Sequence, residues 1–366
     1  MKASSVEYTV VSGDSSEKEI KKIDPLFAKK DINEGGIRWE LIENKWLLKA
    51  KFLWQKNLIN IALSNKYDSF VFLGSPYFIT TWIAAFIVRL KGKKVYYWMH
   101  GVYRENLTPV DYLKLFVFYK IANGFFLYGN RAAGILRKYN VRGNKDIHII
   151  YNSLAYEENL LLRRNLETSD ILNFRHEQFQ DRNTPIVVFI GRLNDVKRLD
   201  LLLHAQDILR KKHGKPFFNC IIVGDGKEAD SLKLIGETLG LSGNLIFKGA
   251  IYDEAINAEL LMHSDLCVTP GEIGLTAIHS LAYGTPTISH DNLNIQMPEV
   301  ESIKPGINGD LFKHNDVGSL ADSIEKWLTI HPVKTAKVMS ECYHVIDQYY
   351  NPKFQAKIFN EVLSKR

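Results

Sequence analysis

Short apolar runs alternate along the chain with stretches of helical spacing. Residues 6–11, 67–73, 95–99, 124–128 and 147–151 read as strands, with helical patterns over 51–64, 77–90 and 111–123. A second series follows, with strands at 186–190, 218–223, 244–247, 266–268 and 287–289. Helices fill its gaps at 199–212, 227–239, 253–263 and 318–329. The strands are near-continuous in apolar residues, as expected when both faces of a parallel sheet are covered. Strand–helix alternation of this kind predicts two α/β sheets of the doubly wound type. The expected division is a first domain over 1–152, a polar linker over 153–184, a second domain over 185–335 and terminal helices over 336–366. Two such sheets joined by a linker are expected to leave a ligand cleft between them.

The uncharged stretch 70–88 has the length of a membrane span, but Gly74, Ser75 and Pro76 cut it. It therefore reads as a buried strand, a turn and a helix. The helix at 111–123 carries Tyr112, Phe116, Phe118 and Tyr119 interleaved with Lys114 and Lys120. That pattern fits a core stripe or a membrane-surface face. A length of 366 residues, 46% hydrophobic with 24% charged, suits a globular protein of two domains. The net charge of +6 is concentrated in the first domain, and the second half is net acidic. A basic first half implies an acidic partner there, such as an anionic membrane surface, a diphosphate-linked lipid or nucleic acid. Cys220, Cys267 and Cys342 have no metal-ligand spacing. With a polar start to the chain, they point to a cytoplasmic protein, peripheral on the membrane at most.

The candidate chemistry gathers around residues 269–290, TPGEIGLTAIHSLAYGTPTISH. This reads as a glycine loop, a helix, a glycine stop at Gly284 and a further strand. Gly274, Leu275 and Thr276 stand where the helix opens, and its unpaired N–H groups and dipole suit a phosphate. Thr276 could hydrogen-bond that anion or cap the helix, and Glu272 lies on the loop before it. Further back, Gly191-Arg192-Leu193 follows a strand, and Lys197 comes five residues after Arg192. Two cations beside a helix start make a clamp for a diphosphate. Gly224-Asp225-Gly226 with Ala229 fits the dinucleotide pattern Gly-x-Gly-x-x-Ala. An acid at the end of the next strand, needed for a ribose, is missing there. His100 closes a first-domain strand. The chain holds no Asp-x-Asp triplet and no His/Cys cluster, so no metal is expected.

Residues 191–200, GRLNDVKRLD, and 269–290 together resemble the donor-binding segments of retaining GT-B glycosyltransferases of family-four type, the glycosyl transferases group 1. Gly274, Leu275, Ala282, Gly284, Thr285 and Pro286 match the family's loop and helix in order. The resemblance implies a GT-B fold, two Rossmann-like domains facing each other across a cleft, with the last helices crossing back to the first domain. It assigns Arg192 and Lys197 to the donor diphosphate, Gly191, Gly224, Gly226 and Ile251 to the nucleotide, and His100 to the donor sugar. Of the family's glutamate pair, the first falls on Gly271, with Glu272 one place later, and the second falls on His279. His279 could still bond a ribose hydroxyl, since imidazole donates and accepts.

The resulting expectation is a metal-independent retaining glycosyltransferase. Its donor would be a nucleotide-diphosphate sugar and its acceptor a glycan or lipid-linked glycan of a bacterial capsule, O-antigen or exopolysaccharide, with no nucleic acid partner. Three other readings fit parts of the pattern: a dinucleotide oxidoreductase, a sugar-nucleotide epimerase of the same fold, and an inactive nucleotide-sugar-binding protein.

Overall fold

A computed structural model describes residues 6–13, 36–102, 104–166 and 171–364. The lysine-rich residues Lys21, Lys22, Lys29 and Lys30, and Asp14 of the first loop, lie outside them. The chain forms two compact units, residues 1–150 with 353–366, and residues 151–352.

In the first unit, β1 (Val10–Gly13) pairs in parallel with β2 (Trp39–Ile42), and β3 (Asn44–Leu47) forms an antiparallel hairpin with β4 (Phe52–Gln55). The expected helix over 51–64 is thus a strand followed by a short α1 (Leu58–Leu63). Next come β5 (Ser69–Leu73), α2 (Ile79–Leu90), β6 (Lys94–Met99), α3 (Pro109–Ile121), β7 (Gly124–Leu127), α4 (Asn130–Lys138) and β8 (Ile147–Ile149). Strands β5, β6, β7 and β8 form a parallel sheet in that order. The stretch 70–88 is therefore split between β5 and α2, and no helix among the described residues is long and apolar enough to cross a membrane. Of the aromatic stripe of α3, Phe118 and Tyr119 are core, and Tyr112 and Phe116 are half-buried. The Phe118 ring lies 4.5 Å from that of Tyr97 and 4.6 Å from that of Trp82, and Tyr119 is buried beside them. Thr108 caps α3, accepting from the Asp111 N–H, and Pro109 opens it.

The second unit begins with α5 (Tyr156–Leu166) and α6 (Ile171–Phe179). Of the stretch expected as a linker, residues 153–166 and 171–184 are described, and they pack on this unit. Arg163 pairs with Asp347 and donates to the Ala282 carbonyl, and Arg175 pairs with Asp265. Then follow β9 (Ile186–Ile190), α7 (Leu199–His213), β10 (Asn219–Val223), α8 (Ala229–Thr238), β11 (Leu245–Gly249), α9 (Glu254–His263) and β12 (Leu266–Val268). The series closes with α10 (Thr276–Ala282), β13 (Thr287–His290), β14 (Gly309–Phe312), α11 (Val317–Ile330) and α12 (Ala336–Gln348). All six strands are parallel, in the order β11-β10-β9-β12-β13-β14. Chain order reverses between β9 and β12, and the crevice outside the carboxyl ends of strands at such a point is where doubly wound sheets bind ligands. Two apolar clusters hold the helices on, one built on Phe189, Leu202 and Ile222, the other on Val188, Ile221 and Leu261. Helix α12 belongs here, with Cys342, Val345 and Ile346 in the core. Of the terminal helices expected over 336–366, only α13 (Pro352–Leu363) joins the first unit, where Phe359 packs 4.4 Å from Phe126.

Candidate active site

Three loops leave the sheet at the β9/β12 reversal, and main-chain hydrogen bonds zip them together. Gly191 N–H donates to Val223 O at 3.0 Å, Leu193 N–H to Asp225 O at 2.9 Å, and Glu228 N–H to Leu193 O at 3.1 Å. The approach is so close that a Cβ at Gly224 would lie 1.8 Å from the Gly191 carbonyl oxygen, and one at Gly226 would lie 2.2 Å from that of Leu193. The Gly-x-Gly after β10 is therefore required by loop-on-loop contact, and a bound dinucleotide is not needed to explain it.

The third loop joins in the same way. Gly271 N–H donates to Lys197 O at 2.9 Å and Glu272 N–H to Val196 O at 3.1 Å. A Cβ at Gly271 would stand 1.9 Å from the Val196 carbonyl oxygen. No side chain fits at this position, so the loop's carboxylate sits one residue on, at Glu272. Beneath it, the buried Gln296 accepts from the Ile273 N–H and donates to the His290 carbonyl. Gly271→Ala is expected to push the loops apart and cost about 1–3 kcal/mol, as for overpacking elsewhere. Urea unfolding checks this, and an unchanged midpoint would count against the zipped loops.

Lys197 Nζ donates to the Glu272 carbonyl oxygen. Burial lowers the Lys197 pKa, and the charges of Glu272 and Glu299 oppose that shift. Glu299 is itself buried and accepts from Asn152 Nδ2 at 2.8 Å. Arg192 is exposed, with no ion pair among the described residues. Lys197 is thus a half-buried cation held on the loop that carries Glu272, and Arg192 is an exposed one five residues before it.

A cavity of about 350 Å³ opens next to them. It is lined by Gly191, Leu275, Thr276 and His279 together with Asn159 and Glu254. Thr276 does not cap its helix: its hydroxyl donates to the Ile190 carbonyl at 3.1 Å, tying α10 to the end of β9. His279 Nε2 lies 2.9 Å from Glu254 Oε1. Tyr283 Oη donates to the same oxygen at 2.7 Å, and Asn159 Nδ2 donates to it at 3.1 Å. Burial pushes the Glu254 carboxyl up, but the hydrogen bonds from His279, Tyr283 and Asn159 and the His279 charge outweigh it and hold the pKa below its usual value.

The structure thus brings Gly191, Leu275, Thr276 and His279 to one cavity and puts Lys197 beside Glu272. Gly224 and Gly226 lie in the loop behind, and Gly274 opens α10 with a φ of 55°. Ile251 packs against the second unit's core, and its carbonyl accepts from Asn257 Nδ2 at 3.2 Å. His100 belongs to the first unit, after β6, with its ring 4.7 Å from that of Tyr128. Sequence reasoning missed Glu254, Asn159 and Tyr283. Glu254 and His279 are 25 residues apart on different helices, and no local pattern links them.

Residues 170–342 match the family model of the glycosyl transferases group 1. Among solved structures, Anabaena Alr3699/HepE in complex with UDP superposes with a TM-score of 0.69 at 17% identity, covering 98% of this chain and 100% of that one. The apo lipopolysaccharide outer core galactosyltransferase WaaB gives 0.64 at 15% identity, over 90% of this chain and 85% of that one. The protein therefore has the GT-B fold, and the part of its chain over 170–342 is similar to the glycosyl transferases group 1 domain. By sequence it is 24% identical over 187 residues to the uncharacterized glycosyltransferase MJ1607 of Methanocaldococcus jannaschii, covering 50% of this chain and 45% of that protein. It is 26% identical over 164 residues to the D-inositol 3-phosphate glycosyltransferase of Mycolicibacterium smegmatis, covering 43% and 35% respectively. The chain thus spans less than half the length of these two relatives.

Proposed function

We propose that the protein is a retaining, metal-independent glycosyltransferase of family-four type. In this reading it moves a sugar from a nucleotide-diphosphate sugar to a glycan or lipid-linked acceptor in bacterial surface-polysaccharide assembly. The observation that carries the proposal is the pairing of Lys197 with the Glu272 loop, beside the cavity lined by His279. The bond from sugar to diphosphate breaks with negative charge growing on the diphosphate. Arg192 and Lys197 stabilise that charge where it develops. Glu272 meets the donor sugar, and the nucleoside takes the cavity. HepE has been solved with UDP and with UDP-glucose, which supports a donor of this class. A thermal-shift panel of nucleotide sugars tests the reading, since a ligand at a hundred times its dissociation constant adds about 2.7 kcal/mol. No shift with any of them would remove it.

Acceptor recognition falls in this reading to the basic first unit, with a peripheral place on an anionic membrane. With Phe118 and Tyr119 inside, α3 exposes Val110, Leu113 and Val117, and Lys114 and Lys120 are exposed on the same helix. Apolar residues interleaved with lysines favour anionic lipid. Flotation is expected to recover the protein with anionic vesicles and not with neutral ones, with recovery falling as salt rises. Equal recovery with both at low salt would remove the membrane role.

A further inference from the structure

The three donors that hold Glu254 all converge on one carboxylate oxygen. His279, Tyr283 and Asn159 bond Oε1, and none of them takes Oε2. Asn159 and Tyr283 are buried, while the Glu254 side chain keeps 29% of its surface and lines the cavity. The carboxylate is therefore fixed in place, and its second oxygen has no hydrogen-bond partner among the described residues. Glu158 also lines this cavity. Two carboxylates lining one cavity disfavour a phosphate and favour a neutral, hydroxyl-bearing group. The cations Arg192 and Lys197 are not among the cavity's lining residues.

From this geometry we infer that Glu254 is the residue that binds the nucleoside of the donor, accepting through Oε2 from the vicinal hydroxyls of its ribose. His279 is a positioning residue for that carboxylate. The inference rests on the nucleotide-sugar reading above and changes which side chain touches the ribose. A carboxylate accepts from both hydroxyls of a cis-diol, whereas the Nε2 of His279 is already engaged by Glu254. The arrangement also gives α9 a role in binding, because Glu254 is its first residue. The cap of that helix is a separate group, Asp253, which accepts from the Ala255 N–H.

The experiment is calorimetry on the full chain with UDP, GDP and ADP, and with the 2′-deoxy form of whichever binds best. Wild type is expected to bind the ribonucleotide about ten- to a hundredfold more tightly than its 2′-deoxy form, the range for a hydrogen bond to a charged group. Glu254→Gln should bring that ratio down to about threefold or less, because the neutral amide loses the charge-assisted bond. A merely structural role for Glu254 would change both affinities together and leave the ratio intact. His279→Ala is expected to weaken binding of both forms while most of the discrimination remains. A wild-type ratio near one overturns the inference. So does a ratio that survives Glu254→Gln and disappears in His279→Ala, which would place the ribose contact on the imidazole. If none of the three nucleoside diphosphates binds wild type, the donor reading falls and this inference falls with it.

Discussion

Replacement of Lys197 by alanine is expected to cut sugar transfer by about a hundredfold or more, the size of effect seen when a donor to developing negative charge is removed. Arg192→Ala should do the same. The two variants should differ in stability. Lys197 is half-buried and donates to the Glu272 carbonyl, so its loss also loosens the loop. Arg192 is exposed and holds no ion pair among the described residues, so its loss should leave unfolding unchanged. Steady-state transfer measured beside thermal unfolding separates the two effects. A deficit in Arg192→Ala with an unchanged melting temperature would be a loss of chemistry or binding. Full activity in either variant would remove that residue from the clamp.

The second large effect is on folding. Arg175 Nη2 lies 2.6 Å from Asp265 Oδ1, and both side chains are almost wholly buried. The other Asp265 oxygen accepts from the Ile186 N–H at 2.8 Å, at the start of β9. Arg175 also donates to the carbonyls of Pro332 and Arg182. This one ion pair joins α6, the first strand of the second unit and the segment after α11. Asp265→Ala strands a buried guanidinium and is expected to cost about 3–5 kcal/mol, read from denaturant unfolding. Replacing both partners by leucine and methionine should recover much of that, because the desolvation cost disappears with the charges. A loss below about 1 kcal/mol in Asp265→Ala would mean that water or another group takes over the pairing.

The strands of the second unit could be read directly from the chain. Parallel strands covered on both faces need continuous apolar runs, and Ile186–Ile190 and Leu266–Val268 appear where those runs end. The first unit was less legible. Strands β2 to β4 are four residues each and mix apolar residues with Glu40, Lys45 and Gln55, so the period-2 signal is weak. Two of the charges that made the segment 153–184 look polar are spent on distant partners. Arg163 meets Asp347 and Arg175 meets Asp265, and neither pairing leaves a local trace.

The candidate site divides in the same way. Local sequence determined the glycine loops, the Arg192–Lys197 spacing and the short helix after Gly274, because turn geometry and helix starts depend on neighbours in the chain. Tertiary structure alone decided why Gly271 carries no side chain, since the obstacle is the carbonyl of Val196 on another loop. It alone decided that Thr276 bonds the end of β9, and that a carboxylate still reaches the cavity. That carboxylate, Glu254, arrives on α9. The contact depends on how two helices pack over the sheet, and packing of that kind is set by shape complementarity summed over many residues distant in sequence.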